Sequence, residues 1–187
     1  ALVGLGIKKG DRVATLAWNG YRHLELYYGI SGIGAVCHTI NPRLSPEQML
    51  YIIEHAGDRL LFVDTTFVPI IEKLIPKLPK NLVIIVMASS DDSSTLSDNF
   101  LNYEQLILES SHDIIWPELP ENTAAGLCYT SGTTGNPKGA LYSHRSTVLH
   151  ALTTSLNLGP SLGDGMKVLP VVPLFHVNAW GLPYAAP

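Results

Sequence analysis

Charge is scarce in this chain of 187 residues: 15% of it is Asp, Glu, Lys or Arg, and 12 basic residues face 16 acidic ones for a net charge of −4. With no basic excess or basic stripe, nucleic acid and anionic membrane surfaces are not expected partners. Cysteine is scarcer still. Cys37 and Cys128 each sit inside an apolar run, so no disulfide framework is available and both read as buried, reduced thiols. No apolar run reaches the roughly 18 residues of a membrane span, and "ALVGLGIKKGDRVA" at the start shows neither a basic leader nor a cleavage site. These features predict a cytoplasmic protein without a transmembrane segment.

What is plentiful is apolar: 46% of the residues are hydrophobic, enough for a core of one domain or part of a larger one. Ala1 opens in what resembles the end of a helix, and "NAWGLPYAAP" stops inside an apolar segment, so a piece of a longer chain is expected.

Strand-like and helix-like runs alternate. "RVATLAW" and "AVCHTI" flank a helical pattern carried by Leu24, Tyr27, Tyr28 and Ser31, which Gly32 and Gly34 stop. In "SPEQMLYIIEHAG", Ser45 is placed as N-cap, Pro46 at the first helical position, Gln48 in a capping box and Gly57 just past the end. Met49, Ile52, Ile53 and Ala56 then share one face. "LLFV", the helical period of "FVPIIEKLIPKL" and "LVIIVM" follow. Short, continuously apolar strands between helices predict an α/β fold, a layered structure with a mostly parallel sheet flanked by helices on both sides. Residues 1–87 form these βα repeats. Residues 88–123 read as an exposed Ser/Asp loop and a proline-broken connector anchored by Trp116, and residues 124–187 carry a glycine-rich loop, a helix from about Ser143, a strand "KVLPVVP" and the segment "LFHVNAWGLPYAAP".

The loop is "YTSGTTGNPKG", Tyr129 to Gly139. Gly132, Gly135 and Gly139 allow positive φ and close backbone approach, so that N–H groups can converge on an anion. Thr130, Ser131, Thr133 and Thr134 add hydroxyls, and Lys138 adds charge. A plain turn would need neither the lysine nor so many hydroxyls. A Walker A loop would need Gly-Lys-Ser/Thr running straight into a helix. Here Asn136 and Pro137 precede the lysine and a strand is expected after it, which disfavours P-loop kinases and GTPases.

"YTSGTTGNPKGALYSHRS" resembles the phosphate-loop signature of the adenylate-forming superfamily, and the stretches from Asp11 to Asp64 and from Val168 to Pro187 are most similar to medium- and long-chain fatty acyl-CoA synthetases. The resemblance implies the large N-terminal, AMP-binding domain of such an enzyme, with ATP, Mg²⁺ and CoA as the cofactor and co-substrates and a fatty acid as substrate. It implies two steps: a fatty-acid carboxylate displaces pyrophosphate from ATP to give acyl-AMP, and the CoA thiol then displaces AMP. A carboxylate is already ionised at neutral pH, so the first step needs charge neutralisation and alignment, not a general base.

By the same resemblance Thr130 is a Mg²⁺ ligand, and Ser131, Gly132, Thr133, Thr134, Gly135, Lys138 and Gly139 hold phosphate. Lys138 and His176 are the catalytic candidates, with His176 beside the α-phosphate, Val177 lining the nucleotide pocket and Trp180 gating an acyl tunnel. The spacing from His176 to Trp180 suits one turn of helix, although a lone His beside Phe175 is more often a packed residue. His23, His38, His55, His112, His144 and His150 form no Cys/His grouping, so no zinc site is expected. His144 and Arg145 suit either added charge near phosphate or a capping or surface role.

The superfamily's Tyr-Gly-x-Thr-Glu segment, ribose-binding Asp, hinge and C-terminal domain with its lysine are not in this sequence. The polypeptide as written is therefore expected to be inactive alone, and the resemblance allows a homodimer for the full-length enzyme. Two alternatives share the loop: an amino-acid or aryl-acid adenylating domain, and a non-catalytic nucleotide-binding fragment.

Overall fold

The computed structural model describes residues 1–89, 97, 99–130, 135–158 and 165–187. Its strands are β1 (Arg12–Leu16), β2 (Val36–Thr39), β3 (Asp58–Val63), β4 (Val83–Val86), β5 (Leu101–Asn102), β6 (Ala124–Thr130) and β7 (Lys138–Ser143). Its α-helices are α1 (Tyr21–Gly32), α2 (Pro46–Ala56), α3 (Val68–Leu74), α4 (Tyr103–Leu108), α5 (His144–Leu158) and α6 (Leu182–Ala185). The strands form one sheet in the order β5-β4-β3-β1-β2-β6-β7, parallel except for the antiparallel β6–β7 pair.

Both faces of this sheet are covered, which is why its strands read as unbroken apolar runs. Successive residues point to opposite sides. On β3, Leu60 and Phe62 enter one core, with Tyr27 and Ile30 of α1, while Leu61 and Val63 enter the other, with Ile52, Ile53 and Ile71 of α2 and α3. On β4, Ile85 faces the first core, and Ile84 and Val86 face the second.

α2 forms as its sequence dictates. Ser45 accepts from the Gln48 N–H, Gln48 answers through the Ser45 N–H, Gly57 closes the end at φ 67°, and Met49, Ile52, Ile53 and Ala56 are buried. α1 keeps part of the expected set: Tyr27 and Ser31 are buried, together with His23, Leu26 and Ile30, and Leu24 is half-buried, whereas Tyr28 is 42% exposed. The polar His23 acts as a core residue because Thr15 Oγ1, 3.0 Å from Nε2, and the Trp18 carbonyl, 3.0 Å from Nδ1, occupy both its ring nitrogens.

Three further differences have local causes. The expected helix over "FVPIIEKLIPKL" divides into Val68–Leu74 flanked by 3₁₀ turns at Thr65–Phe67 and Ile75–Lys77, because Pro76 lacks the N–H that would continue it. Within residues 88–123, read as loop and connector, the chain forms β5 and α4, the latter capped by the Asn102 side chain on the Gln105 N–H. These are too short for periodicity to register. "KVLPVVP" is not a strand. Pro170 and Pro173 cannot donate to a ladder, and the Pro170 and Val172 carbonyls instead accept from Asn19 Nδ2 at 3.0 and 3.3 Å.

Most of the polar stretch 88–99 lies outside the described residues. Trp116 does anchor its connector: it lies over α1, where a Cβ on Gly32 would sit 2.4 Å from its ring, although the residue is 55% exposed. Val148, Leu149 and Leu152 share one side of α5, and all three are exposed. Both thiols are buried and free; burial pushes Cys37 up to about 12 and raises Cys128, which leaves them inert at neutral pH.

Candidate functional site

The glycine-rich loop joins two antiparallel strands. Thr130, the last residue of β6, is paired with Lys138, the first of β7, and Tyr129 with Gly139. Thr130 and Lys138 are exposed, and the Thr130 hydroxyl donates to the Lys138 carbonyl at 3.4 Å. Gly135 adopts φ 102°, which a Cβ would penalise. At Gly139 a Cβ would press 3.1 Å from Leu127 Cδ1 and 3.3 Å from the Tyr129 ring. Ser131, Gly132, Thr133 and Thr134 lie outside the described residues. Because Lys138 begins a strand and not a helix, the Walker A arrangement is excluded on geometry.

The root of this hairpin is fastened to the body by contacts that residue order does not announce. Tyr129 Oη shares a 2.7 Å hydrogen bond with His55 Nδ1 at the end of α2, and its ring packs 5.1 Å from that of His38. His38 Nδ1 in turn lies 2.8 Å from Asp58 Oδ2, with both side chains wholly buried. Burial pushes Tyr129 up to about 12 and raises Asp58 despite the neighbouring His38. The sequence carries one signal of this fastening: His38 is a lone polar ring in an apolar strand.

The second part of the site is the turn that follows Leu174 and Phe175, both buried. His176, Val177 and Trp180 are exposed, Trp180 at 67%. The right-handed helix expected here does not form. Val177, Asn178, Ala179 and Trp180 hold φ of 48°, 49°, 47° and 56°, and Gly181 follows at 73°. A left-handed conformation costs about 1–2 kcal/mol for an ordinary L residue, and a β-branched residue such as Val177 is a clear outlier there. The turn is held by its surroundings. Ala179 is fully buried, the Leu174 N–H donates to Asn19 Oδ1 at 2.7 Å, and the Tyr27 hydroxyl donates to the Leu174 carbonyl. Strain kept in place this way concentrates at functional sites. His176 and Trp180 are therefore not related as neighbours on a right-handed helix face.

The turn and the hairpin meet on β6. Asn178 packs on Gly126, where a Cβ would lie 3.3 Å from Nδ2, and Gly126 precedes Thr130 on that strand. Among the described residues no hydrogen bond joins the His176 side chain to Thr130 or Lys138. Arg145 forms an ion pair with Glu121 at 2.5 Å, and burial lowers the His144 pKa.

A separate cleft lies at the carboxyl ends of β1, β3 and β4, where strand order reverses, lined by Trp18, Arg22, His23, Asp64 and Met87. Its polar groups are already engaged: Arg22 with Glu104 at 2.6 Å, Asp64 with the Thr66 N–H, and His23 as above. Among the described residues no group of three or more His, Cys, Asp or Glu side chains is placed to hold a metal. Mg²⁺ asks for less, since it keeps several waters and binds through one or two carboxylates plus phosphates; the exposed Thr130 hydroxyl offers one neutral oxygen. No helix among the described residues is long and apolar enough to cross a membrane.

The chain is 52% identical over 187 residues to a medium-chain-fatty-acid–CoA ligase of Ectopseudomonas oleovorans, covering 100% of this chain and 34% of that protein. It is likewise 52% identical to a 3-methylmercaptopropionyl-CoA ligase of Ruegeria pomeroyi, covering 98% of this chain and 34% of the relative. The chain thus spans about a third of the length of these curated relatives. The fold matches the crystal structure of a candidate long-chain-fatty-acid CoA ligase from Rhodopseudomonas palustris with a TM-score of 0.83 at 23% identity, over 99% of this chain and 44% of that one. The profile of the AMP-binding enzyme family matches residues 1–186, and the chain belongs to that family.

Proposed function

We propose that this chain supplies the phosphate loop and part of the acyl pocket of an ATP-dependent fatty acid–CoA ligase. The observation that carries this reading is the β6–β7 hairpin, which presents Thr130 and Lys138 side by side at its exposed end with Gly135 in a glycine-only conformation between them. In the first step a carboxylate oxygen bonds to the α-phosphorus of ATP and the bond to the bridging pyrophosphate oxygen breaks. Charge grows on the departing pyrophosphate, and the Lys138 ammonium, the Thr130 hydroxyl and loop N–H groups are suited to stabilise it. Mg²⁺ held at Thr130 would supply further neutralisation of the phosphates. In the second step the CoA sulfur bonds to the acyl carbon and AMP leaves.

The acid is read as a medium- or long-chain fatty acid, with His176 beside the reacting carboxylate, Val177 against the nucleotide and Trp180 at the acyl entrance. A short thioether acid is the second reading, favoured by the equal identity to the methylmercaptopropionyl-CoA ligase. Acid-dependent ATP–pyrophosphate exchange by the full-length protein, run with octanoate, palmitate, 3-methylmercaptopropionate, benzoate and amino acids, separates these readings. Strongest exchange with octanoate or palmitate is expected; exchange confined to benzoate or an amino acid overturns the assignment. Trp180→Ala is expected to change the order of acids by chain length, because a side chain 67% exposed removes little packing when truncated. An unaltered acyl profile would show that Trp180 is no gate.

A further inference from the structure

Five consecutive residues, Val177 to Gly181, hold positive φ. Glycine takes that conformation freely and asparagine readily, whereas valine, alanine and tryptophan resist it. Asn178 is thus the one non-glycine residue of the run suited to its backbone, and its side chain also bonds outside the turn. Its Oδ1 accepts from the Thr39 hydroxyl at 3.3 Å and lies 3.3 Å from the Tyr27 hydroxyl, whose proton goes to the Leu174 carbonyl, while its Nδ2 lies against Gly126. One side chain therefore bonds the turn to β2 and packs it against α1 and β6. These neighbours are buried: Tyr27 is 1% exposed and Thr39 2%. The flanking side chains of His176 and Trp180 are exposed and, among the described residues, make no hydrogen bond of their own. Their direction follows from the turn.

We infer that Asn178 is the positioning residue of this turn and, through the direction it imposes on Trp180, a specificity-determining residue for the acid. The specificity half rests on the function proposed above; the geometric half does not. Asn178→Asp keeps both the acceptor oxygen and the tolerance of left-handed φ. Asn178→Gly keeps the backbone freedom and removes the acceptor. Full-length protein labelled with 5-fluorotryptophan reports the turn through the ¹⁹F resonance of Trp180, identified by its loss in Trp180→Phe.

The aspartate variant is expected to hold the wild-type resonance and the wild-type ratio of kcat/KM between octanoate and a short acid. The glycine variant is expected to shift the resonance and change that ratio by about tenfold, as misplacement of a substrate-facing group does. A glycine variant that matches wild type in both readouts overturns the inference. So do equal losses toward every acid and ATP with a lowered Tm in both variants, which would make Asn178 only a fold residue. Wild-type protein without acid-dependent pyrophosphate exchange sinks the proposed function and the specificity half, while the ¹⁹F comparison still decides whether Asn178 sets the turn.

Discussion

Replacing Lys138 with alanine in the full-length protein lowers ATP–pyrophosphate exchange by about 10²–10³, the usual cost of removing one preorganised donor from developing charge. The loss is expected in the chemistry and not in the fold. Lys138 is exposed, enters no ion pair among the described residues, and contributes to the hairpin through its backbone: its carbonyl accepts from Thr130, and its pairing with that residue is unaffected by the side chain. Arg145, the next Lys or Arg in the chain, is paired with Glu121. Exchange rates and urea midpoints of wild type, Lys138→Ala and Lys138→Arg decide the matter. Full exchange in a normally stable Lys138→Ala protein would remove Lys138 from the reaction.

Much of the fold is legible in the sequence because local and global signals coincide. Around α2, the capping box, the proline at the first position, the closing glycine and the buried stripe all point the same way, and the structure reproduces each. The parallel sheet is legible from continuously apolar strands, a texture that burial on both faces requires. Where sequence and structure part, tertiary contacts decide the outcome. His23 joins the core because Thr15 and the Trp18 carbonyl satisfy it, and "KVLPVVP" stays out of the sheet because its prolines have nothing to donate. β5 and α4 are short elements held by Asn102, a single cap that no periodicity announces.

For the site, the hairpin is legible in the sequence and the turn is not. The strand after Lys138 follows from residue order alone, so residue order also distinguishes this loop from a Walker loop. The left-handed run from Val177 to Gly181 has no such signature, because valine, alanine and tryptophan carry no signal for positive φ. Its stability comes from Tyr27, Thr39, Asn19 and Gly126, which lie 52 to 155 residues away in sequence counted from Asn178 and Leu174. The fastening of Tyr129 to His55 crosses 74 residues in the same way. Chemistry-bearing residue types are readable one at a time; what holds them at an angle is not.

His23 makes the protein lose stability on acidification in a window set by its burial. Burial in α1 against β1 holds its imidazole down at about 4, from an ordinary value of 6.5, against the opposing pull of its hydrogen bond to the Trp18 carbonyl and the Asp64 charge. Between those two values the unfolded chain binds a proton there that the folded chain does not, so stability rises with pH through the window. The contribution is complete above pH 6.5 and is lost as pH falls toward 4. At about 1.4 kcal/mol per unit, the loss is on the order of 3 kcal/mol. His23→Gln cannot take up that proton. It costs stability at pH 7 by disturbing the bonds to Thr15 and Trp18, yet it flattens the acid limb. Urea unfolding of both proteins at intervals from pH 7 to pH 4 cancels every other titrating group in the difference, and that difference is expected to shrink by about 3 kcal/mol on the way down. Two parallel curves would mean that His23 is protonated in the folded protein as readily as in the unfolded one, and that its burial against Thr15 carries no electrostatic cost.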